Sequence, residues 1–116
     1  MAVKRIAAHF YRAARGAEPV RDWLLELNAD DRRAVGHDIG TLEFGWPVGM
    51  PICRPLGGGL FEIRCKLAGN RIARVFFCTE TEHLVLLHGF IKKSRKTPQA
   101  ELDLARRRMK EFKSGR

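Results

Sequence analysis

Basic side chains that could hold a phosphate group are concentrated in three short stretches of the second half of the chain. Arg64 and Lys66 alternate on one face of a strand-like segment, and Arg71 and Arg74 follow after a short turn. The third stretch has four cations within five residues, namely Lys92, Lys93, Arg95 and Lys96. Guanidinium and ammonium groups stabilise the negative charge of a phosphate, whereas crowded like charges destabilise a chain that binds no anion. The three stretches therefore predict that a phosphate chain binds here.

The same charges also have a plainer explanation. A run of lysines and arginines is commonly a solvated face, and arginines on a strand often pair with neighbouring acids. Glu62 is such a neighbour for Arg64, because both stand on the polar face of one alternating segment. The arginines at 106–108 are equally compatible with the surface of a helix. Residue types alone indicate a basic domain associated with nucleic acid and leave catalysis open.

His88 is the histidine that lies nearest to the basic stretches. Imidazole titrates near neutrality, so His88 is a candidate proton carrier. Strict alternation would place it on one face with Leu84, Leu86 and Phe90, as a packed core histidine. Both interpretations stay open at this point.

The charge of the whole chain also favours an anionic partner. Its 116 residues carry 22 basic and 13 acidic side chains, a net charge of +9. Residues 1–58 hold 8 basic and 7 acidic side chains, whereas residues 59–116 hold 14 and 6. The excess belongs to the second half, and nucleic acid is the first polyanion to consider.

Length and cysteine usage limit the class of protein. A chain of this size fits one domain over residues 1–116. Three cysteines without a C-x-x-C pair predict free thiols in a reducing cytoplasm. The histidines and cysteines lack zinc-ligand spacing, so we expect no metal and no other cofactor. We also expect no membrane span, because no apolar stretch approaches ~20 residues.

Hydrophobic periodicity predicts the elements that position these residues. A strand is expected within residues 3–12, helices over 19–28 and 29–45, and a long Pro- and Gly-rich loop over 45–59. Three strands follow at 60–67, 71–78 and 83–91, joined by short turns. The last helix spans 97–112, with Thr97 as N-cap and Pro98 as its first residue.

The order β-α-α-β-β-β-α predicts an α+β domain with a small, mostly antiparallel sheet. We expect the helices on one face of this sheet and a partly solvated opposite face, where Arg64 stands. A hairpin that turns near Gly69 would bring Arg64 and Arg71 within cross-strand or diagonal reach. The cations at 92–96 would then lie over the same edge.

Four motifs resemble a known toxin family. They are "LGGGLFEIR", "GNRIARVFF", "LLHGFIKKSRKTP" and "ELDLARRRM", and the similarity runs from about Asp22 to Phe112. In combination they are similar to the HigB-type, phage-related branch of the RelE/ParE toxin superfamily. The fold of that superfamily, two helices followed by a small sheet and a terminal helix, matches the predicted order.

The resemblance implies a toxin of a type II toxin–antitoxin pair that cleaves mRNA in the ribosomal A site of the 30S subunit without a metal. Its partner would be a helix-turn-helix antitoxin. By position, Arg64 and Arg71 match basic residues of the family, and we expect them to stabilise the charge of the reacting phosphate. Arg74 belongs to the motif of this branch. The expected catalytic set also includes Arg74, His88, Lys92 and Lys93. The expected RNA-binding residues are Lys66, Arg95 and Lys96, with Lys92 and Lys93 holding the RNA backbone as well.

The proton carrier and the target stay open after this resemblance. Some relatives have a tyrosine or an aspartate near the last helix, whereas this chain has Phe90 and no equivalent. His88 and a lysine of lowered pKa are the options for the base. ParE-like members act on DNA gyrase without cleaving RNA, and fold alone does not separate the two activities. A plain nucleic-acid-binding, phage-related protein is the third interpretation.

Overall fold

The described residues form three α-helices and five strands. A computed structural model describes residues 3–47, 49, 52–92 and 98–115. The elements in chain order are β1 (Ala7–Phe10), α1 (Pro19–Glu26), α2 (Ala29–Gly45), β2 (Cys53–Gly57), β3 (Leu60–Leu67), β4 (Arg71–Glu80), β5 (His83–Lys92) and α3 (Gln99–Ser114). None of the helices within the described ranges is long and apolar enough to cross a membrane.

All five strands form one sheet in the order β1-β5-β4-β3-β2. The pairs β2–β3, β3–β4 and β4–β5 are antiparallel, and β1 lies parallel to β5 at one edge. The α+β class and the mostly antiparallel sheet are therefore confirmed. Short turns join β3, β4 and β5, as antiparallel neighbours allow.

The strand β2 corrects the prediction of a loop throughout residues 45–59. Cys53 pairs with Ile63 and Arg54 with Glu62, and the register shifts between Pro55 and Gly57. Proline and glycine weaken a central strand, but an edge strand tolerates proline because its outer side needs no ladder hydrogen bond. Composition alone pointed to a loop, whereas pairing with β3 makes this segment an edge strand.

The two faces of the sheet are covered by different helices. Val20 of α1 and Val35, Ile39 and Leu42 of α2 pack against one face. That cluster includes the strand residues Ile63, Cys65, Val75, Phe77, Leu84 and Leu86. Ala105 of α3 packs on the other face, in a second cluster with Leu60, Phe76, Val85, Leu87 and Phe90. The expectation that the helices share one face is therefore wrong for α3.

A β-bulge in β5 determines where His88 lies. Phe76 pairs with His88 whereas Phe77 pairs with Leu86, so Leu87 is an extra residue in β5. After this bulge His88 and Phe90 face α3, whereas Leu84 and Leu86 belong to the cluster on the other face. The predicted face shared with Leu84 and Leu86 is therefore wrong, because simple alternation does not count the extra residue.

The start of α3 is defined by Pro98. Its extended backbone (φ −58°, ψ 135°) directly precedes the first helical residue, Gln99. The predicted N-cap Thr97 lies outside the described residues. Proline suits this place because a helix start does not use its missing N–H.

Candidate functional site

A buried ion pair lies at the centre of the basic region. The Arg74 Nη1 and Glu62 Oε1 atoms are 2.6 Å apart, and the two side chains are 5% and 1% exposed. The Nε of Arg54, from β2, donates to the same Glu62 oxygen at 2.9 Å. Glu62 is thus buried between cations, which corrects the expectation that it stands on a solvated face.

Strand register explains why these side chains meet. Glu62 lies opposite Arg54 on one side and Phe76 on the other, and Arg64 lies opposite Arg74. Cross-strand partners share a face, and here it is the face that α3 partly covers. Lys92 ends β5 opposite Ile72, on the same face as Arg74 by alternation. We call the set Arg54, Glu62, Arg64, Arg74 and Lys92 the Glu62 cluster.

The Glu62 cluster carries an excess of positive charge. Four cations surround one carboxylate, so its formal charge is +3. Glu62 Oε2 and Arg74 Nε are buried and have no hydrogen-bond partner among the described residues. Arg54 and Arg64 are exposed, so their guanidinium groups can reach a ligand while Arg74 cannot. The arrangement gives an accessible pair of arginines over a fixed, buried ion pair.

The pKa of Lys92 is lowered in the Glu62 cluster. Partial burial lowers the pKa of its ammonium group, and the neighbouring Arg74 lowers it further. The carboxylate of Glu62 acts in the opposite direction, and Arg64 and Arg54 add smaller lowering effects. A lysine whose pKa is lowered is neutral more often near pH 7, and a neutral amine accepts a proton.

Arg71 lies on the opposite face of the sheet from Arg64, so the predicted contact between the two side chains is wrong. The register pairs Arg71 with Leu67, on the face that α1 and α2 cover. Its Nη1 and Nη2 donate to both oxygens of Asp31 in α2, at 2.8 and 2.9 Å. These hydrogen bonds lower the pKa of Asp31, against a smaller effect of burial. Arg71 joins α2 to the β3–β4 turn.

His88 packs against α3, and its side chain is largely buried. Its Nε2 lies 3.0 Å from Glu101 Oε1, and its Nδ1 lies 3.4 Å from Arg108 Nη1. The ring stacks on Phe90 with centroids 5.6 Å apart, and its side chain is 15% exposed. The structure thus places His88 among packed groups between β5 and α3.

The remaining predicted residues lie around the cluster or outside the description. Lys66 is exposed on β3, past the end of its pairing with β2. With Arg64 it borders a groove of about 570 Å³ against His37 and Asp38 of α2. Lys93, Arg95 and Lys96 lie outside the described residues.

A family model described as phage-derived protein Gp49-like (DUF891) matches residues 22–110. The chain belongs to this Gp49-like family. The Gp49-like family is a RelE/ParE-like toxin family, so the predicted superfamily is confirmed, whereas the HigB-type branch stays a prediction. No characterised protein matches the chain in a sequence comparison.

The Gp49-like match covers the whole Glu62 cluster. It begins inside α1 and ends inside α3, so β1 lies outside it. Within the described part of this Gp49-like chain, no group of three histidine, cysteine or acidic residues could hold a metal ion. The side chains of Cys53, Cys65 and Cys78 are buried.

Sequence reasoning missed Arg54 and the burial of Glu62. Arg54 lies in the segment "ICRPLGGG", whose prolines and glycines predict a loop. The short alternation of Cys53, Arg54, Pro55 and Leu56 beside a strand-like "LFEIR" was the available signal for a hairpin. Such a hairpin places Arg54 beside Glu62.

Proposed function

We propose that this protein is the toxin of a type II toxin–antitoxin pair, of the HigB type, and that it cleaves mRNA on the ribosome. The observation that carries the proposal is the Glu62 cluster. It presents Arg54, Arg64 and Lys92 at one end of a sheet, around a buried Glu62–Arg74 pair. Membership of a RelE/ParE-like toxin family supports the toxin role.

The cluster offers what transfer of a phosphodiester to a neighbouring hydroxyl requires. The ribose 2′-oxygen attacks the adjacent phosphorus, the new O–P bond gives a 2′,3′-cyclic phosphate, and the bond to the 5′-oxygen breaks. Negative charge grows on the non-bridging oxygens in the transition state, and fixed cations there lower the barrier. Arg64 and Arg54 are the exposed guanidinium groups placed for this task.

Lys92 is the residue that we propose as proton acceptor. Its lowered pKa increases the fraction of neutral amine that can take the 2′-hydroxyl proton. The leaving 5′-oxygen then takes a proton from water, which completes the balance. His88 is a poorer candidate, because Glu101 and Arg108 already occupy its two ring nitrogens.

Arg74 acts through its neighbours in this proposal. Its side chain is 5% exposed, so it holds Glu62 and does not meet the RNA. Glu62 in turn fixes the guanidinium of Arg54. Arg74 and Glu62 are therefore positioning residues, and the cations of 92–96 beyond Lys92 are proposed contacts to the RNA backbone.

Programmed ribosomes test the proposal. Purified protein is incubated with ribosomes that carry a defined mRNA, and the new mRNA ends are mapped. We expect cleavage in the A site, and Arg64→Ala should slow it by ~10²–10³-fold, the usual effect of losing one transition-state donor. Arg21→Ala, which removes an exposed cation from α1, is the matched control and should cleave normally.

The alternatives predict different results in parallel assays. Intact mRNA together with inhibited DNA supercoiling by gyrase would replace the nuclease proposal with a ParE-like activity. Normal growth after induced expression in the absence of any partner would reject a toxin altogether. Growth arrest that a co-expressed helix-turn-helix protein relieves would support the proposed antitoxin.

A further inference from the structure

We propose that a single RNA strand continues from the Glu62 cluster along the β2 edge of the sheet to the C-terminal half of α3. This inference rests on the proposed RNA substrate and adds a second binding region to it. The additional cations are Arg106, Lys110 and Lys113 of α3. We call this surface the α3 track.

The tip of the β2–β3 hairpin lies directly beneath Arg106 and Lys113. Arg106 donates from Nη2 to the Leu56 oxygen at 3.0 Å and from Nη1 to the Gly57 oxygen at 3.2 Å. A Cβ atom built on Gly59 would lie 3.6 Å from Lys113 Nζ, so that ammonium group sits over the turn. Gly57, Gly58 and Gly59 carry no side chains that could cover this flank of α3, and Lys110 and Lys113 are exposed.

Helical spacing places the three cations on one flank of α3. Residues 106, 110 and 113 stand at i, i+4 and i+7 and therefore form one stripe. The opposite flank is already engaged, because Arg108 donates to the Leu87 oxygen and Glu111 accepts from Tyr11. The flank that carries the three cations faces β2 and β3, on which Arg54 and Arg64 lie.

The α3 track and the Glu62 cluster are continuous. Arg54 and Leu56 both lie on β2, two residues apart. Because Arg106 donates a hydrogen bond to the Leu56 carbonyl oxygen, the guanidinium of Arg106 comes next to Arg54 along β2. From residue 59 to residue 64 an extended strand spans about 16 Å. At the ~3.4 Å rise of a stacked strand this is about five nucleotides. One strand can therefore contact both regions.

Charge favours a polyanion over a peptide or an apolar partner on this surface. Arg54, Arg64, Lys110 and Lys113 are exposed, whereas Lys92 is half-buried. Asp103 lies seven residues before Lys110, so within the described residues it is the carboxylate on this flank of α3. Asp103 already accepts a hydrogen bond from Gln99 at 2.8 Å. A row of exposed cations contacts the phosphates of a nucleic acid independently of its sequence.

Binding of RNA oligonucleotides of two lengths tests the track. The probes are labelled single strands of about four and about twelve nucleotides, both within the range of single-strand site sizes, with every ribose 2′-O-methylated so that none is cleaved. Fluorescence anisotropy is measured against salt for the wild type and for Lys110→Ala/Lys113→Ala. The control is Arg21→Ala/Arg33→Ala, which removes the same charge from exposed positions of α1 and α2.

We expect the wild type to bind the long probe more tightly than the short one. The track variant should lose on the order of tenfold on the long probe, with a salt slope smaller by about 1.4 for two lost phosphate contacts, and should bind the short probe normally. Equal weakening in the control, or no length dependence in the wild type, would overturn the inference. Normal oligonucleotide binding with weakened binding to 30S subunits would assign the track to ribosomal RNA instead.

The same variants separate this inference from the proposed nuclease. If programmed mRNA stays intact but the long probe still needs Lys110 and Lys113, the nuclease proposal fails and the track stands. If mRNA is cleaved and the track variant binds both probes like the wild type, the track fails alone.

Discussion

Glu62 is a single carboxylate that organises several cations. Burying a charge is costly unless it is paired, and Glu62 is paired with Arg74 and Arg54 on one oxygen. Without the carboxylate, Arg74 would keep a buried and uncompensated charge. The sequence shows Glu62 beside Arg64 on a polar face, but the partner that fixes it, Arg54, becomes visible only when β2 pairs with β3.

Glu62→Gln is therefore expected to destabilise the fold. Removing one partner of a buried ion pair costs roughly 3–5 kcal/mol in the free energy of unfolding. Urea unfolding measures it, with Glu18→Gln as control, since Glu18 pairs loosely with the exposed Arg12 at 3.7 Å. Glu62→Met/Arg74→Met should recover part of the loss, because no buried charge remains. A neutral effect of Glu62→Gln would show that the pair is not buried in solution.

The proposed role of Lys92 as proton acceptor predicts how the cleavage rate depends on pH. If its neutral amine accepts the proton, the single-turnover rate should rise with pH and level off below the ordinary lysine pKa of about 10.4. Arg54→Ala removes a cation that lowers the pKa of Lys92, so the rise should move to higher pH. Lys92→Met should abolish the rise together with most activity. A wild-type cleavage rate that does not depend on pH in this range would argue against this role.

At the scale of elements, hydrophobic periodicity was sufficient to predict a helix or strand whose apolar residues recur at one regular spacing. The alternation of Phe61, Ile63, Cys65 and Leu67 gave β3, and the helical repeat of Val35, Ile39 and Leu42 gave α2. Register and bulges carry no such pattern. A turn centred on Gly69 pairs Arg64 with Arg74 and Leu67 with Arg71, which moves Arg71 to the other face.

The pairing of Arg71 with Asp31 predicts an element-level effect on stability. Asp31 has a lowered pKa in the folded state, so its contribution is complete above the ordinary aspartate pKa of ~3.9 and is lost as pH falls through the lower folded value. Arg71→Ala and Asp31→Asn should each destabilise the protein at neutral pH and weaken this acid-side decline. Urea unfolding at several pH values checks it.

The control for this pair is Asp30→Asn. Asp30 is 89% exposed in its contact with Arg33, so its removal should change little. Cleavage per folded molecule should also stay close to the wild-type rate in Arg71→Ala. A large loss of cleavage with unchanged stability would return Arg71 to the catalytic set.

At the scale of the whole molecule, the two ends of the chain meet on the α3 face. Tyr11 follows β1 and lies in the cluster beneath α3, where its hydroxyl donates to Glu111, a residue 100 positions later. Arg108 lies over its ring at 5.8 Å from the centroid. The sequence gives Tyr11 no motif, because such a contact depends on the crossing of β1 and α3.

Tyr11 is the only tyrosine, so its titration can be followed alone. Burial raises its pKa, and the hydrogen bond to Glu111 and the charge of that carboxylate raise it further, against smaller effects of Arg108 and Arg107. Tyrosinate absorbance should therefore appear above the ordinary value of ~10 in the folded protein and near it in urea. Because a raised folded pKa adds stability below the unfolded pKa, this contribution should disappear as pH rises through the folded value.

Tyr11→Phe should lower the free energy of unfolding by about 1 kcal/mol at neutral pH and remove that alkaline decline. A folded-state titration at the ordinary value would mean that α3 does not close over β1 in solution.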